Sequence, residues 1–254
     1  MRNTFDRFNG RHQDYQAARP SYAQEFLDWL GELYAPPERY TAADIGSGTG
    51  KLSAQLLAAG FRVCGVEPNP DMRGAAEALL GGDPRFSSSN GTDHDTGLPD
   101  RSVDMVAAAQ AFHWFDGPAF ARECRRILRP GGRAVLVWNV RGSAPVNQAL
   151  AQVFREHCPS FHGFTGGMGE DDPRIRDFFG GAYEKRRFPN PLTLDRDRFL
   201  RRCFSSSYAA GGRRGLQSLS GGAGGAIRHF RLRRATDSAN ETVAYVGIPA
   251  APRG

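Results

Sequence analysis

Between residues 41 and 139, short apolar runs alternate with stretches of helical spacing, and that alternation leaves few folds open to the chain. Residues 42–45 form an apolar run that meets a glycine turn. The stretch after the turn carries Leu52, Leu56 and Leu57 on one helical face. Residues 61–67 read as a second strand and 71–80 as a second helix. A weak strand lies near Phe86 and a stronger one at 103–109. A helix over 118–128 is stopped by Pro130-Gly131-Gly132, and 133–139 is a further buried strand with Val135, Leu136, Val137 and Trp138. Strands separated by helices pair in parallel through right-handed crossovers. In such sheets ligands bind beyond the carboxyl ends of the strands, so the residues just after each strand are where function is sought.

The flanks extend this pattern. Residues 21–33 form an amphipathic helix with Phe26, Leu30 and Leu33 at helical spacing, and Pro36-Pro37 breaks the chain. Residues 145–158 read as a helix striped by Val146, Leu150, Val153, Phe154 and His157, most simply ordinary core. Residues 183–188 and 242–247 read as two late strands forming an antiparallel hairpin at one sheet edge, with a helix over 195–204 between them.

Composition narrows the function classes. The opening residues MRNTFDRFNGRHQDYQ are too polar for a secretory signal, and no apolar run is long enough to cross a bilayer, so a cytoplasmic location is expected. Cys64, Cys124, Cys158 and Cys203 are scattered without a CxxC pair, which argues against a disulfide framework or a metal site. The net charge of +6 suggests nucleic acid until it is located: 211–234 holds six arginines and no acid, which leaves the remainder neutral. A nucleic-acid-binding domain carries a distributed basic face instead.

The strongest local signal is Asp44-Ile45-Gly46-Ser47-Gly48-Thr49-Gly50, set between a strand and a helix. Glycines there let the backbone turn sharply and approach a ligand, and the helix start offers free N–H groups. Glu67 ends the next strand, where a carboxylate can accept hydrogen bonds from both hydroxyls of a ribose. Both features suit an adenosine-containing cofactor. The spacing is GxGxG, however, with Lys51 where the dinucleotide fingerprint has its third glycine. Asp44 would repel a pyrophosphate and welcome a cationic amino-acid end. A ligand with a sulfonium and an α-ammonium therefore fits better than one with two phosphates.

These residues, with LPDRSVDMVAAAQAFHWFD and RILRPGGRAVLVWN, resemble the class I S-adenosylmethionine-dependent methyltransferases of type 11, in the branch carrying an AFHWFD segment that includes trans-aconitate and ubiquinone-biosynthesis-type methyltransferases. The resemblance implies a Rossmann-like doubly wound sheet of seven strands, mostly parallel with the last antiparallel, under a small N-terminal and C-terminal cap. It implies a lid and helix over 1–40, an S-adenosylmethionine-binding core over 41–140, and a C-terminal part of the same domain over 141–254. Asp44, Gly46, Ser47, Gly48 and Gly50 would line the methionine end of the cofactor. Glu67 would hold the ribose, with Pro68 and Met72 beside the adenine, and Gln110 would close over the cofactor. The family's acid near the adenine amino group falls in Gly91-Thr92-Asp93-His94-Asp95, where His94 stands in the acid's place and Asp93 is the carboxylate chosen here.

Methyl transfer is an in-line displacement, so the protein must align the nucleophile and exclude water. Aromatic faces favour cations without competing as nucleophiles. Phe112, His113, Trp114 and Phe115 follow the fourth strand, and Tyr15 comes from the segment that folds over the site in this family. His113 is either a general base for a hydroxyl acceptor or a histidine that packs at the loop. Arg19 and Arg141 offer paired N–H groups to an acidic small-molecule substrate. Trp114, Trp138 and Asn139 are candidate pocket walls, and no metal is expected. A nicotinamide-dependent oxidoreductase and a cofactor-binding protein without turnover are the competing readings. Residues 209–238, rich in Gly and Arg, break the style of the chain. They read as a flexible basic loop or as the product of compensated frame shifts in an arginine-rich gene.

Overall fold

The computed structural model describes residues 20–142, 145–158, 161, 163–164, 169, 172–194 and 236–251. Tyr15, Arg19, the expected helix over 195–204 and residues 209–235 lie outside them. Helix α1 (Gln24–Leu33) leads into β1 (Thr41–Ile45), α2 (Lys51–Ala58), β2 (Arg62–Val66), α3 (Pro70–Leu80) and β3 (Phe86–Ser89). The chain continues through β4 (Val103–Ala109), α4 (Gly117–Ile127), β5 (Leu128–Arg141), α5 (Pro145–His157) and α6 (Pro173–Phe178). It ends with β6 (Tyr183–Pro189), β7 (Leu192–Leu194), β8 (Thr236–Ser238) and β9 (Asn240–Gly247).

Seven strands form one sheet in the order β3-β2-β1-β4-β5-β9-β6, the Rossmann-like doubly wound arrangement expected; β7 and β8 form a separate pair. Strand β1 pairs in parallel with both β2 and β4, so strand order reverses between β1 and β4. The crevice of such a sheet opens at that reversal. Among the described residues, no helix is long and apolar enough to cross a membrane.

Side chains alternate between the two faces with period two. Ala134, Leu136 and Trp138 face one side with Val106, Phe120 and Phe178, under α4 and α6. Val135 and Val137 face the other with Met105, Phe26, Leu52 and Leu56, under α1 and α2. Leu150 and Phe154 of α5 are buried, as the stripe required.

One expectation is corrected. Pro130-Gly131-Gly132 ends the helix but lies within β5, which begins at Leu128 opposite Val103 and regains register at Met105 and Arg133. The irregularity accommodates a proline without an N–H and Gly131 at φ +85. The two late strands pair antiparallel at one sheet edge as expected, with β9 between β5 and β6. The burial of Val243 through Val246 explains this: a strand buried on both faces is an inner strand. The edge falls to β6, whose Glu184, Lys185 and Arg186 are exposed and discourage further pairing.

Candidate active site

The turn after β1 is built by left-handed glycines, Gly46 at φ +68 and Gly48 at φ +57. A Cβ on Gly46 would lie 2.9 Å from the Ala111 Cβ, so both backbone shape and space demand glycine there. The N–H groups of Gly46 and Ser47 donate to the Val66 carbonyl at 2.8 and 3.1 Å, fastening the loop to the end of β2. That brings Glu67 against the loop. Gly48 N–H donates to Glu67 Oε2 and Asn69 N–H to Oε1, both at 2.9 Å. Burial pushes the Glu67 carboxyl pKa up, with the two N–H donors and Arg73 opposing. Asn69 in turn caps α3, its Oδ1 accepting from Met72 N–H at 3.0 Å.

Asp44, at the end of β1, is wholly buried. Its Oδ2 accepts from Ser53 Oγ–H at 2.7 Å, while Oδ1 has no hydrogen-bond partner. Burial raises its pKa to about 6, against the lowering effect of the Ser53 hydrogen bonds. A half-satisfied buried carboxylate is costly on its own and complementary to a cation bearing N–H donors.

Two hollows meet at this loop. One, of about 60 Å³, is bounded by Asp44, Ser47, Lys51, Pro20, Tyr22 and Asn139. The other, of about 180 Å³, is bounded by Glu67, Pro68, Met72, Asp93, Trp114 and Phe115. Gly46, Gly48, Ala109 and Gln110 belong to both, so the two form one continuous cleft with a carboxylate in each part. A larger hollow of about 470 Å³, between α4, α6 and Ala250, holds none of the residues singled out in the sequence.

Gln110 stands at the centre of the cleft in a left-handed conformation, φ +55, that non-glycine residues rarely adopt. Its N–H donates to the Val137 carbonyl at 2.9 Å and its Nε2 to the Asn139 carbonyl at 3.2 Å. Asn139 Nδ2 donates to the Pro20 and Ser21 carbonyls at 3.2 and 3.1 Å. Its Oδ1 accepts from Thr242 Oγ–H at 2.7 Å, which ties the approach to α1 onto β5 and β9. In the part that includes Glu67, Asp93 Oδ2 accepts from Asp116 N–H at 3.1 Å and Oδ1 lies 3.1 Å from His94 Nδ1.

Twelve residues chosen from the sequence thus line one cleft: Asp44, Gly46, Ser47, Gly48, Glu67, Pro68, Met72, Asp93, Gln110, Trp114, Phe115 and Asn139. Five described residues stand elsewhere, among them Arg141 at the end of β5, which borders neither hollow. Gly50 lies at the start of α2 beneath Leu80 and Ala76, where a Cβ would fall 2.9 Å from Leu80 Cδ1. Trp138, expected as a pocket wall, is a core residue, 3% exposed and edge-on to Phe112 and Tyr245. Strand alternation turns it away from its neighbour Asn139, and its Nε1 is buried without a hydrogen-bond partner. Phe112 shares that core, so of the aromatic run only Trp114 and Phe115 reach the cleft. His113 lines neither hollow; its ring lies beside Trp114, centroids 4.8 Å apart, and its Nδ1 is buried. Asn69 and Thr92 were missed as cleft residues, although an asparagine directly before the proline of α3 carries a capping signal that pointed to Asn69.

Residues 43–136 match the family model described as a methyltransferase domain. An uncharacterized methyltransferase of Mycobacterium tuberculosis is 42% identical over 127 residues, covering 50% of this chain and 49% of that protein. An uncharacterized methyltransferase of Schizosaccharomyces pombe is 32% identical over 147 residues, covering 57% of each. The chain therefore spans about half the length of the curated relatives it matches. Among solved structures, a candidate type II methyltransferase from Anaeromyxobacter dehalogenans is 27% identical, with a TM-score of 0.65, covering 91% of this chain and 97% of the other. A candidate methyltransferase from an antibiotic biosynthesis pathway of Anabaena variabilis shares the fold, at 22% identity and a TM-score of 0.64, covering 90% and 98%.

Proposed function

We propose that this chain is a cytoplasmic S-adenosylmethionine-dependent methyltransferase that acts on a small-molecule acceptor. The observation that carries this reading is Asp44: a wholly buried carboxylate with one unpartnered oxygen, lining one part of a cleft whose other part includes Glu67. The residues fit the cofactor group by group. Asp44 Oδ1 would hold the α-ammonium, and the glycine strip leaves room for the backbone to approach the methionine end. Glu67 retains lone pairs beyond its two N–H donors for the ribose hydroxyls, and each charged hydrogen bond contributes about 1.5–3 kcal/mol. Pro68 and Met72 offer apolar surface to an adenine, with Asp93 at the same wall. A dinucleotide pyrophosphate would meet two carboxylates in the same cleft, which disfavours a nicotinamide cofactor.

When bound, S-adenosylmethionine supplies a methyl group on positively charged sulfur. The chain's own contribution is alignment and dryness. Gln110, fixed by bonds to Val137 and Asn139, sets the centre of the cleft, and Trp114 and Phe115 present aromatic surface rather than nucleophiles. No proton transfer is assigned to His113. The AFHWFD segment supports membership of the branch that includes trans-aconitate-type and ubiquinone-biosynthesis-like methyltransferases.

The test is formation of S-adenosylhomocysteine when the protein and S-adenosylmethionine are incubated with a pool of small metabolites. Product formed by the wild-type chain and lost in Asp44→Asn is the expected result. Tight cofactor binding with no product from any acceptor would instead leave a cofactor-binding protein without turnover.

A further inference from the structure

Residues 20–23, just before α1, belong to neither a helix nor a strand, yet Pro20 and Tyr22 bound the part of the cleft that holds Asp44. Buried backbone N–H and C=O groups need partners, and here no helix or sheet ladder provides them. Side chains from elsewhere in the fold do so. On one side, Gln55 of α2 takes both polar groups of Tyr22: its Oε1 accepts from the Tyr22 N–H and its Nε2 donates to the Tyr22 carbonyl, each at 2.9 Å. On the other side, Asn139 Nδ2 donates to the Pro20 and Ser21 carbonyls. Asn190 Nδ2 donates to the Ser21 carbonyl at 2.8 Å, and Thr242 Oγ accepts from the Ala23 N–H at 2.9 Å.

The three side chains of this second group also hold one another. Asn139 and Thr242 stand directly opposite in the register of β5 and β9. Asn190 follows the end of β6, where its backbone N–H donates to the Asn240 carbonyl at 2.8 Å. Asn139 Oδ1 accepts from Thr242 Oγ–H at 2.7 Å and from Asn190 Nδ2 at 3.1 Å. Both amide nitrogens face carbonyl oxygens, which only accept, so one orientation satisfies each amide. The Asn139 carbonyl meanwhile accepts from Gln110 Nε2. One residue thus joins the wall at residues 20–23 to the glutamine shared by both parts of the cleft. Neither Thr242 nor Asn190 borders the cleft itself.

We propose that Asn139, braced by Thr242 and Asn190, is a positioning residue for the amino-acid portion of the cofactor, holding Pro20 and Tyr22 as the wall opposite Asp44. The role rests on the S-adenosylmethionine reading of the cleft. A wall held by side-chain hydrogen bonds rather than by a ladder separates more readily than the sheet does, so these bonds govern how firmly that portion is retained. The Glu67 part depends on none of them, because Glu67 is fixed by the Gly48 and Asn69 N–H groups. A ligand with ribose and adenine but no amino-acid chain should therefore be indifferent to the clasp.

Titration calorimetry with S-adenosylhomocysteine and with methylthioadenosine, which lacks the amino-acid portion, tests it. Thr242→Val and Asn190→Ala should each weaken S-adenosylhomocysteine binding about 3- to 10-fold, the scale of one hydrogen bond, and leave methylthioadenosine within about 2-fold of wild type. Thr242→Ser keeps the hydroxyl and should keep the wild-type affinity for both ligands. If Thr242→Val does not fold, Asn190→Ala, at a partly exposed position, carries the test. Equal weakening of both ligands, or unchanged S-adenosylhomocysteine affinity, overturns the role. Failure of the wild type to bind either ligand overturns the cofactor reading and the clasp with it, so the two failures are distinguishable.

Discussion

Replacing Asp44 by asparagine should raise the stability of the free protein and at the same time weaken its hold on the cofactor. The folded state keeps this carboxyl protonated up to about pH 6, against an ordinary value of 3.8, chiefly because burial penalises the charge. Between those two values the unfolded chain has released a proton that the folded chain retains. Stability therefore falls as pH rises through that window, and stays lower above it. The full displacement corresponds to about 3 kcal/mol at neutral pH, and about 2 kcal/mol of it should be gained on acidification from pH 7.5 to pH 4. Asparagine keeps an oxygen for Ser53 but adds a buried amide N–H₂, so a net gain of about 1–2 kcal/mol at pH 7.5 is expected, a rise in Tm of several degrees for a chain of this size. Thermal melts of both proteins at pH 4 and 7.5 read this out. The variant should be the more stable at pH 7.5, with an advantage that shrinks by about 2 kcal/mol at pH 4. A variant that is less stable at neutral pH, or a difference that does not move with pH, would refute the view of Asp44 as an uncompensated buried charge. The same substitution removes the partner of an ammonium, so S-adenosylmethionine affinity should fall about 10- to 100-fold.

Other substitutions have sharp expectations. Glu67→Ala should weaken S-adenosylmethionine binding by about 2–4 kcal/mol by calorimetry, and unchanged affinity would remove Glu67 from the ribose. Gly46→Ala combines a left-handed φ with a 2.9 Å approach to Ala111, so it should cost about 1–3 kcal/mol in chemical denaturation and weaken cofactor binding. Arg126→Met strips the guanidinium from Glu123, a buried carboxylate that also accepts from the Thr96 N–H and hydroxyl. Destabilisation of about 2–4 kcal/mol is expected, and a neutral effect would show that Thr96 alone satisfies the group. Wild-type affinity for S-adenosylmethionine should rise between pH 5 and 7 as Asp44 becomes easier to ionise, which calorimetry at several pH values checks.

Much of the fold could be read from residue pattern because the parallel strands are simple objects. Runs such as Val135–Val137 are apolar on both faces, and the glycines at 46 and 48 mark a turn whatever surrounds them. The grouping of residues in one cleft was legible for the same reason: they follow strand ends directly, and the sheet brings strand ends together. What escaped depended on direction rather than type. Trp138 and Asn139 are adjacent, and only the register of β5 decides that one enters the core while the other faces the cleft. His113 sits in a short helical turn whose orientation is set by packing of Phe112 beneath it, and a histidine's identity says nothing of that. The inner place of β9 is likewise a matter of pairing across about a hundred residues, which no local period encodes.

The most direct measurement is calorimetric binding of S-adenosylmethionine and S-adenosylhomocysteine, with NADH as the control. Micromolar-range binding of the first two and none of NADH is predicted from Asp44 and Glu67 lining one continuous cleft. Binding of NADH without S-adenosylmethionine, or binding of none of the three, would contradict the assignment of this cleft to a sulfonium cofactor.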